Sequence, residues 1–294
     1  MRTPTADGLA RAGLDREAVE RIVQAALAED LGPDRIDVTS VATIPSDQAD
    51  AGDLVAREAG VVAGLPVAVL VYELVSEGAI AIELLVGDGD RVGPGTALAR
   101  VAGPTRALLM AERTVLNLLS RMSGVATHTR HWAEALAGTT AQILDTRKTT
   151  PGLRVLDKYA VRAGGGTNKR MGLYDVAMIK DNHRLGAGGV GEAFQRVRAA
   201  FPGMTVQVEV ETVAEAVEAV AAGANFLLCD NMTPELLRTV VAAVGNRAEL
   251  EATGGLTLDV ARVYAETGVD YLSVGALTHS SPILDIAFDL TPIG

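Results

Sequence analysis

From residue 141 onward the chain repeats one pattern, a short β-rich run that ends in a polar residue or glycine and gives way to a helical pattern. The runs are AQILDTRK (141–148), DVAMIKDN (175–182), TVQVEVE (205–211), NFLLCDN (225–231), ELEATGG (249–255) and DYLSVGA (270–276), and the last four begin 20–24 residues apart. Between them TVAEAVEAVAAG, PELLRTVVAAVG and LDVARVYAETG are each apolar on one face and closed by glycine. Such alternation requires parallel strands joined by right-handed crossovers. Near-continuous apolar strands are those buried on both faces. A closed or nearly closed α/β barrel fits best, and a doubly wound open sheet is the alternative. No G-x-G-x-x-G follows a strand and opens a helix, which disfavours a dinucleotide fold. In a barrel, the chemistry belongs at the C-terminal strand ends.

The first 140 residues have a different grammar. Residues 15–29 place Val19, Ile22, Val23, Ala26 and Leu27 on one helical face, and short strands are expected within 53–62 and 79–102. The turn-rich segment 86–104 resembles a biotinyl or lipoyl carrier hairpin, but it has no lysine to carry the group and is read as structural sheet. A helix over 104–121 sets Arg113, Asn117, Ser120 and Arg121 on a polar stripe opposite Leu108, Val115, Leu118 and Leu119. With 48% apolar but only 3% aromatic residues, Ala, Val and Leu must do the packing, as in α/β layers. A chain of 294 residues allows one large domain or two ordinary ones. The expected division is an N-terminal α/β sandwich over 1–120, with 280–294 packing back on it, and a barrel over 121–279.

No signal peptide is legible at the N-terminus. The longest greasy run, 61–75, is broken by Gly64, Pro66 and Glu73 and is too short to cross a bilayer. The single Cys229, inside an apolar run, is expected to be a buried strand residue, and the lack of disulfide partners suits a reducing cytoplasm. No membrane partner is expected.

Charge is unevenly spread. Residues 145–184 hold nine Lys/Arg against four Asp, in a chain of net charge −11. All four lysines of the chain (148, 158, 169 and 180) lie there, while 22 arginines serve everywhere. Lysine is kept where a compact ammonium is wanted, which points to a small, strongly anionic ligand. An acidic protein with one basic focus lacks the broad basic face of a nucleic-acid binder. At the strand tips stand Arg147 and Lys148, then Lys180, Glu209, Asp230, Thr253–Gly255 and Val274–Gly275. Glycine tips after the last two strands suit a phosphate, carboxylates suit a divalent metal or ribose hydroxyls, and the cations suit acidic groups of a second substrate. The site reads as one for a phosphosugar and a small polyacid. Arg154, Lys158, Arg162 and Arg184 are assigned to the local field or to pairing with Asp157, Asp175 and Asp181. His128, His131, His183 and His279 have no ligand spacing for a structural zinc.

The motifs TRKTTPGLR, YAVRAGGGTNKR, IKDNH, VEVE, CDN and EATGG, in this order, make the sequence resemble the quinolinate phosphoribosyltransferase family over essentially its whole length. The resemblance implies an α/β fold: an N-terminal sandwich plus an incomplete (β/α) barrel of the type II phosphoribosyltransferase kind. It implies transfer of phosphoribosyl from phosphoribosyl pyrophosphate to quinolinate with decarboxylation, and a homodimer with shared active sites, a higher oligomer being left open. Quinolinate would be held by Arg147, Lys169, Arg170 and Lys180, with Arg113 reaching in from the partner subunit. Lys148, Glu209 and Asp230 would be catalytic. Phosphoribosyl pyrophosphate would meet Thr146, Lys148, Glu209, Asp230, Thr253, Gly254, Gly255, Ser273, Val274, Gly275 and His279. Mg2+ would accompany it, held directly or indirectly by Glu209 and Asp230, with no organic cofactor.

Two positions depart from the family pattern. Lys169 stands where histidine is usual before the arginine of the glycine-rich motif, which removes a neutral imidazole, and Thr253 replaces the commoner serine while keeping the hydroxyl. Two other readings remain at this level: a Schiff-base lyase using Lys180, and a repurposed paralogue binding another anion.

Overall fold

The structure is a computed structural model that describes residues 5–291. In chain order its elements begin with α1 (Thr5–Arg11), α2 (Arg16–Leu31), α3 (Val38–Thr43), β1 (Ala49–Ala56), β2 (Gly60–Val61), α4 (Leu65–Ser76), β3 (Ala81–Leu84), β4 (Arg91–Val92), β5 (Ala97–Pro104) and α5 (Thr105–Ala135). They continue with β6 (Gln142–Leu144), α6 (Arg154–Ala163), β7 (Ala177–Ile179), α7 (Asp181–Ala187), α8 (Val190–Ala200), β8 (Val206–Val210), α9 (Val213–Ala221) and β9 (Phe226–Asp230). The last are α10 (Pro234–Val244), β10 (Glu249–Thr253), α11 (Ala261–Ala265), β11 (Tyr271–Ser273), α12 (Ala276–His279) and β12 (Ile286–Thr291). The chain divides into two compact units. One runs up to Arg130 and adds Thr149–Gly165 and the residues from Ser280; the other is His131–Lys148 with Gly166–His279. The sequence-order boundary at 120/121 falls inside α5.

The first unit is built on a four-stranded antiparallel sheet of order β12-β1-β5-β3. Residues from the far end of the chain thus complete the sheet that β1 starts, with Ala51 opposite Thr291 and Ala56 opposite Ile286. Helix α2 starts at Asp15, whose carboxylate accepts the Ala18 N–H at 2.9 Å, a side-chain N-cap. It buries Val19, Val23, Leu27 and Leu31, while Ile22 and Ala26, expected on the same face, are only half-buried. Helix α4, cut from the greasy run, buries every residue from Val67 to Tyr72. Among the described residues no helix is long and apolar enough to cross a membrane.

Helix α5 is longer than its sequence pattern indicates, extending to Ala135 rather than ending near 121. Gly124 looks like a stop, but its role is close approach. A Cβ there would collide with the Pro282 carbonyl oxygen and Ile283, and two residues on, the Leu284 N–H donates to the Ser120 carbonyl at 3.0 Å. Glycine costs the helix about 1 kcal/mol and lets the returning chain lie against it.

The second unit is a six-stranded parallel sheet of order β6-β11-β10-β9-β8-β7. Strands β7 to β11 follow one another and β6 closes on β11, which is the cyclic order of a barrel rather than the reversing order of a doubly wound sheet. It is incomplete, because β6 and β7 are both edges, and Leu144 of β6 instead bridges to Thr167. The helix between those two strands, α6, belongs to the first unit. Strand period 2 sets the two faces: Val208, Val210, Leu227, Cys229, Leu250, Ala252 and Leu272 are fully or almost fully buried. Glu209, Leu228, Glu251 and Tyr271 form one register row on the other face.

Candidate active site

At the C-terminal strand ends of the second unit lies a cavity of about 770 Å³, a size suited to small-molecule ligands. Thr146, Arg147 and Lys148 line it after β6, Lys169 and Arg170 before β7, and Lys180 after β7. Glu209 and Asp230 come from neighbouring strands β8 and β9; Thr253, Gly254 and Gly255 follow β10, and Ser273, Val274, Gly275 and His279 follow β11. Of the residues expected at the site, Arg113 alone is outside the lining; it is exposed on α5 in the first unit.

The two lysines across the strand ends are each tied to a glutamate. Lys180 Nζ lies 2.7 Å from Glu209 Oε2, and the Asp181 N–H reaches the other oxygen at 3.5 Å. Lys169 Nζ lies 2.6 Å from Glu251 Oε1, and its backbone N–H donates to Asp145 Oδ1 at 2.7 Å. Asp145, fully buried, also accepts from the Asn168 amide at 2.8 Å. This carboxylate at the end of β6 therefore fixes the loop that presents Lys169 and Arg170. Arg170 donates to the Val176 carbonyl at 2.9 Å. Burial, and then the Arg147 charge beside it, lowers the Arg170 guanidinium from its usual range. Like charges packed this way store a repulsion that an anion relieves.

Burial raises the Asp230 carboxyl, and the neighbouring Glu209 charge adds to it. Lys148 lies along Gly275, where a Cβ would sit 2.8 Å from its Cδ, and its carbonyl accepts from Thr278 Oγ1 at 2.8 Å. A side chain at 275 would displace the lysine, so the tip needs glycine for space. Asn231 holds a left-handed backbone, φ 53°, while its N–H donates to the Thr253 carbonyl at 2.9 Å and its amide to Asp230 Oδ2 at 2.8 Å. It locks the β9 tip to the β10 tip.

Met178, Leu228, Asn231, Leu256 and Ala276 also line the cavity and were missed by reasoning from strand-end charge. Glu251 was missed as well, although its spacing of two from Thr253 puts both on one face. Several minor pairings differ from expectation. Arg184 pairs with Glu211 at 3.2 Å and Glu215 at 2.8 Å. Asp157 pairs with Arg121 at 3.2 Å, and Asp175 accepts the Met171 and Gly172 N–H groups at 2.6 and 3.1 Å. Cys229 is 1% exposed with its thiol pushed up to about 12 by burial and then by the Glu251 charge, so it is no nucleophile. Among the described residues no group of three or more His, Cys, Asp or Glu side chains is placed to hold a metal.

A second cavity, about 650 Å³, is lined by Leu173, Ala177, Ile179, Ala193 and Val197 together with Arg147, Arg170 and Lys180. Near it Leu173, Tyr174 and Leu185 are 73%, 77% and 81% exposed.

Comparison with known proteins gives a consistent result. The model of the quinolinate phosphoribosyl transferase N-terminal domain matches residues 37–123, and that of the C-terminal domain matches residues 125–289. The chain is 46% identical to the nicotinate-nucleotide pyrophosphorylase (carboxylating) of Mycobacterium leprae, over 93% of this chain and 98% of that one. It is 41% identical to a quinolinate phosphoribosyltransferase (decarboxylating) of Nicotiana tabacum, over 92% and 81% respectively. Among solved structures, NadC from Streptococcus pyogenes superposes with a TM-score of 0.92 at 36% identity, covering 96% of this chain and 99% of that one.

Proposed function

Because the chain belongs to the quinolinate phosphoribosyltransferase family, we propose that it moves phosphoribosyl from phosphoribosyl pyrophosphate to the ring nitrogen of quinolinate. The products are nicotinate mononucleotide, pyrophosphate and CO2, a step of NAD biosynthesis. One observation carries the reading at the level of the site. A single cavity gathers five cationic side chains, the Glu209–Asp230 pair and two glycine-bearing strand tips, with Lys148 lying against the Gly275 tip.

Arg147, Lys169, Arg170 and Lys180 grip the two carboxylates of quinolinate, each charge-assisted hydrogen bond being worth about 1.5–3 kcal/mol. The Thr253–Gly255 and Ser273–Gly275 tips take the 5′-phosphate, with Thr146 and His279 beside them, and Lys148 stands between the two substrates. Fixing the ring nitrogen against C1 removes orientational entropy from the barrier. The C1–oxygen bond breaks with its electron pair leaving on pyrophosphate, and the nitrogen lone pair forms the N–C1 bond. Glu209 and Asp230 stabilise the positive charge that builds on the sugar between these events. The pyridinium so formed accepts the pair left when the adjacent carboxylate departs as CO2, and the ring carbon then takes a proton. No covalent enzyme intermediate or organic cofactor is required.

Mg2+ fits as an ion arriving with the pyrophosphate, since two carboxylates on neighbouring strands and no complete protein cage is the arrangement it uses with phosphate ligands. Glu209 and Asp230 would hold it, where it neutralises the leaving group. Membership of the quinolinate phosphoribosyltransferase family sets the lyase reading aside. The protein is further proposed to be a cytoplasmic homodimer in which Arg113 of the partner subunit completes each cavity. The exposed Leu173, Tyr174 and Leu185 support an interface beside the site.

Pyrophosphate release from phosphoribosyl pyrophosphate, measured with quinolinate and separately with nicotinate, tests the activity. Turnover is expected with quinolinate only, and its absence would sink the proposal. For the dimer, mixing inactive Arg113→Ala subunits with inactive Lys148→Ala subunits should restore up to about a quarter of wild-type activity through hybrid sites. No recovery after exchange would exclude shared sites.

A further inference from the structure

Glu251 is fully buried on the inward row of β10, and its Oε2 has no hydrogen-bond partner. Its other oxygen holds Lys169, whose side chain is 7% exposed yet lines the cavity. Nothing else on the inward face of that strand row carries a full charge between Glu209 and Glu251, since Leu228 separates them. A carboxylate set this deep is costly unless paired, so a role is needed to account for it.

We propose that Glu251 is a positioning residue that acts through Lys169, fixing its ammonium, charged, at the cavity wall where a carboxylate of the polyacid substrate binds. The inference rests on the substrate assignment made above.

Two anchors define where Lys169 stands. Asp145 holds its backbone and Glu251 its tip, so the four-carbon stem is pinned at both ends. An ammonium has three donors, and Glu251 takes one. The surrounding charges explain why a partner is required. Arg170 lies beside Lys169, Lys180 follows β7 with Glu209 of β8 paired to it, Asp230 caps β9, Asp145 ends β6, and β11 brings only the Tyr271 phenol, bonded to Glu249. Burial lowers the Lys169 ammonium from its ordinary value, Arg170 and Lys180 push the same way, and Glu251 opposes them. Without Glu251 the remaining influences all push the ammonium down, so the lysine would hold its proton less tightly, and the neutral amine would lose its hold on an anion.

Steady-state kinetics of wild type and Glu251→Gln from pH 6.5 to 9, with each substrate varied in turn, test this. The expected result is a quinolinate KM raised roughly tenfold or more at the alkaline end and less at the acidic end, with the phosphoribosyl pyrophosphate KM unchanged. The same substitution in a Lys169→Met background should add no pH dependence, because the titrating group is gone. That double variant removes both charges and is the one to use if Glu251→Gln alone does not fold; its quinolinate KM should be raised evenly at all pH values. A wild-type quinolinate KM across the range in either variant overturns the proposal. So does a loss confined to kcat and thermal stability, which is what a merely structural carboxylate would give. Failure of the wild type itself to turn over quinolinate would instead overturn the substrate assignment.

Discussion

Two lysine–glutamate pairs face the same cavity at nearly the same length, 2.6 Å for Lys169–Glu251 and 2.7 Å for Lys180–Glu209. They differ in their access to water. The side chains of the first are 7% and 0% exposed, whereas Lys180 is 48% exposed over a buried Glu209. In a low-dielectric setting a pair is held together because neither charge can be left alone. Near solvent, an ion pair is worth little and its members can change partners. The buried pair is therefore a fixed one, holding the Lys169 ammonium in place at the cavity wall. The half-open pair can release Lys180 to an incoming carboxylate and Glu209 to the sugar, at little cost. Identical chemistry is put to two uses by a difference in burial alone.

That contrast can be broken from the dry side first. Glu251→Ala leaves a buried ammonium uncompensated and should cost about 3–5 kcal/mol, read as a fall in Tm on the order of 10 °C. An unchanged Tm would place the pair in water after all. On the wet side, Glu209→Gln should leave Tm nearly untouched and lower kcat by about 10²–10³-fold, the effect of removing one charge aimed at the developing cation. If it melted the protein instead, the two pairs would not be different in kind. Lys180→Ala should raise the quinolinate KM by roughly 10–100-fold with Tm within about 2 °C of wild type.

The smallest effect sharpens the comparison through Asp230. Its folded-state value is raised by burial and by Glu209 above the ordinary 3.8. The folded protein therefore holds that proton more tightly than the unfolded chain. Its ionisation costs stability above the folded value, and this cost vanishes below 3.8. Asp230→Asn should thus be slightly more stable than wild type, by a margin that grows as pH rises from about 4, while losing most activity. Thermal melts across pH that run parallel for the two proteins would contradict this.

Much of the barrel was legible because its strands are read locally. An apolar run ending in Asp, Lys or Gly states both a strand and its functional end, and Lys148, Lys180, Glu209 and Asp230 were found in that way. What local reading cannot supply is a partner brought from far away. Glu251 looked like one more strand residue, because nothing near it in sequence announces Lys169, 82 positions away. Helix α5 was cut short for a similar reason. Gly124 has a meaning only once Pro282 and Ile283 lie across it. The placement of α6 in the first unit was hidden too, since it stands between two barrel strands in sequence.

The pairing of β1 with β12 has a consequence for synthesis. Strand β1 leaves the ribosome with one edge meant for residues that are more than two hundred positions away. At about 5–20 residues per second, that edge waits on the order of 10–50 s for its partner. For that interval a nascent chain carries an open strand edge of the kind that recruits neighbours. The barrel strands are all translated before it is sealed, so the first sheet begun is the last one finished.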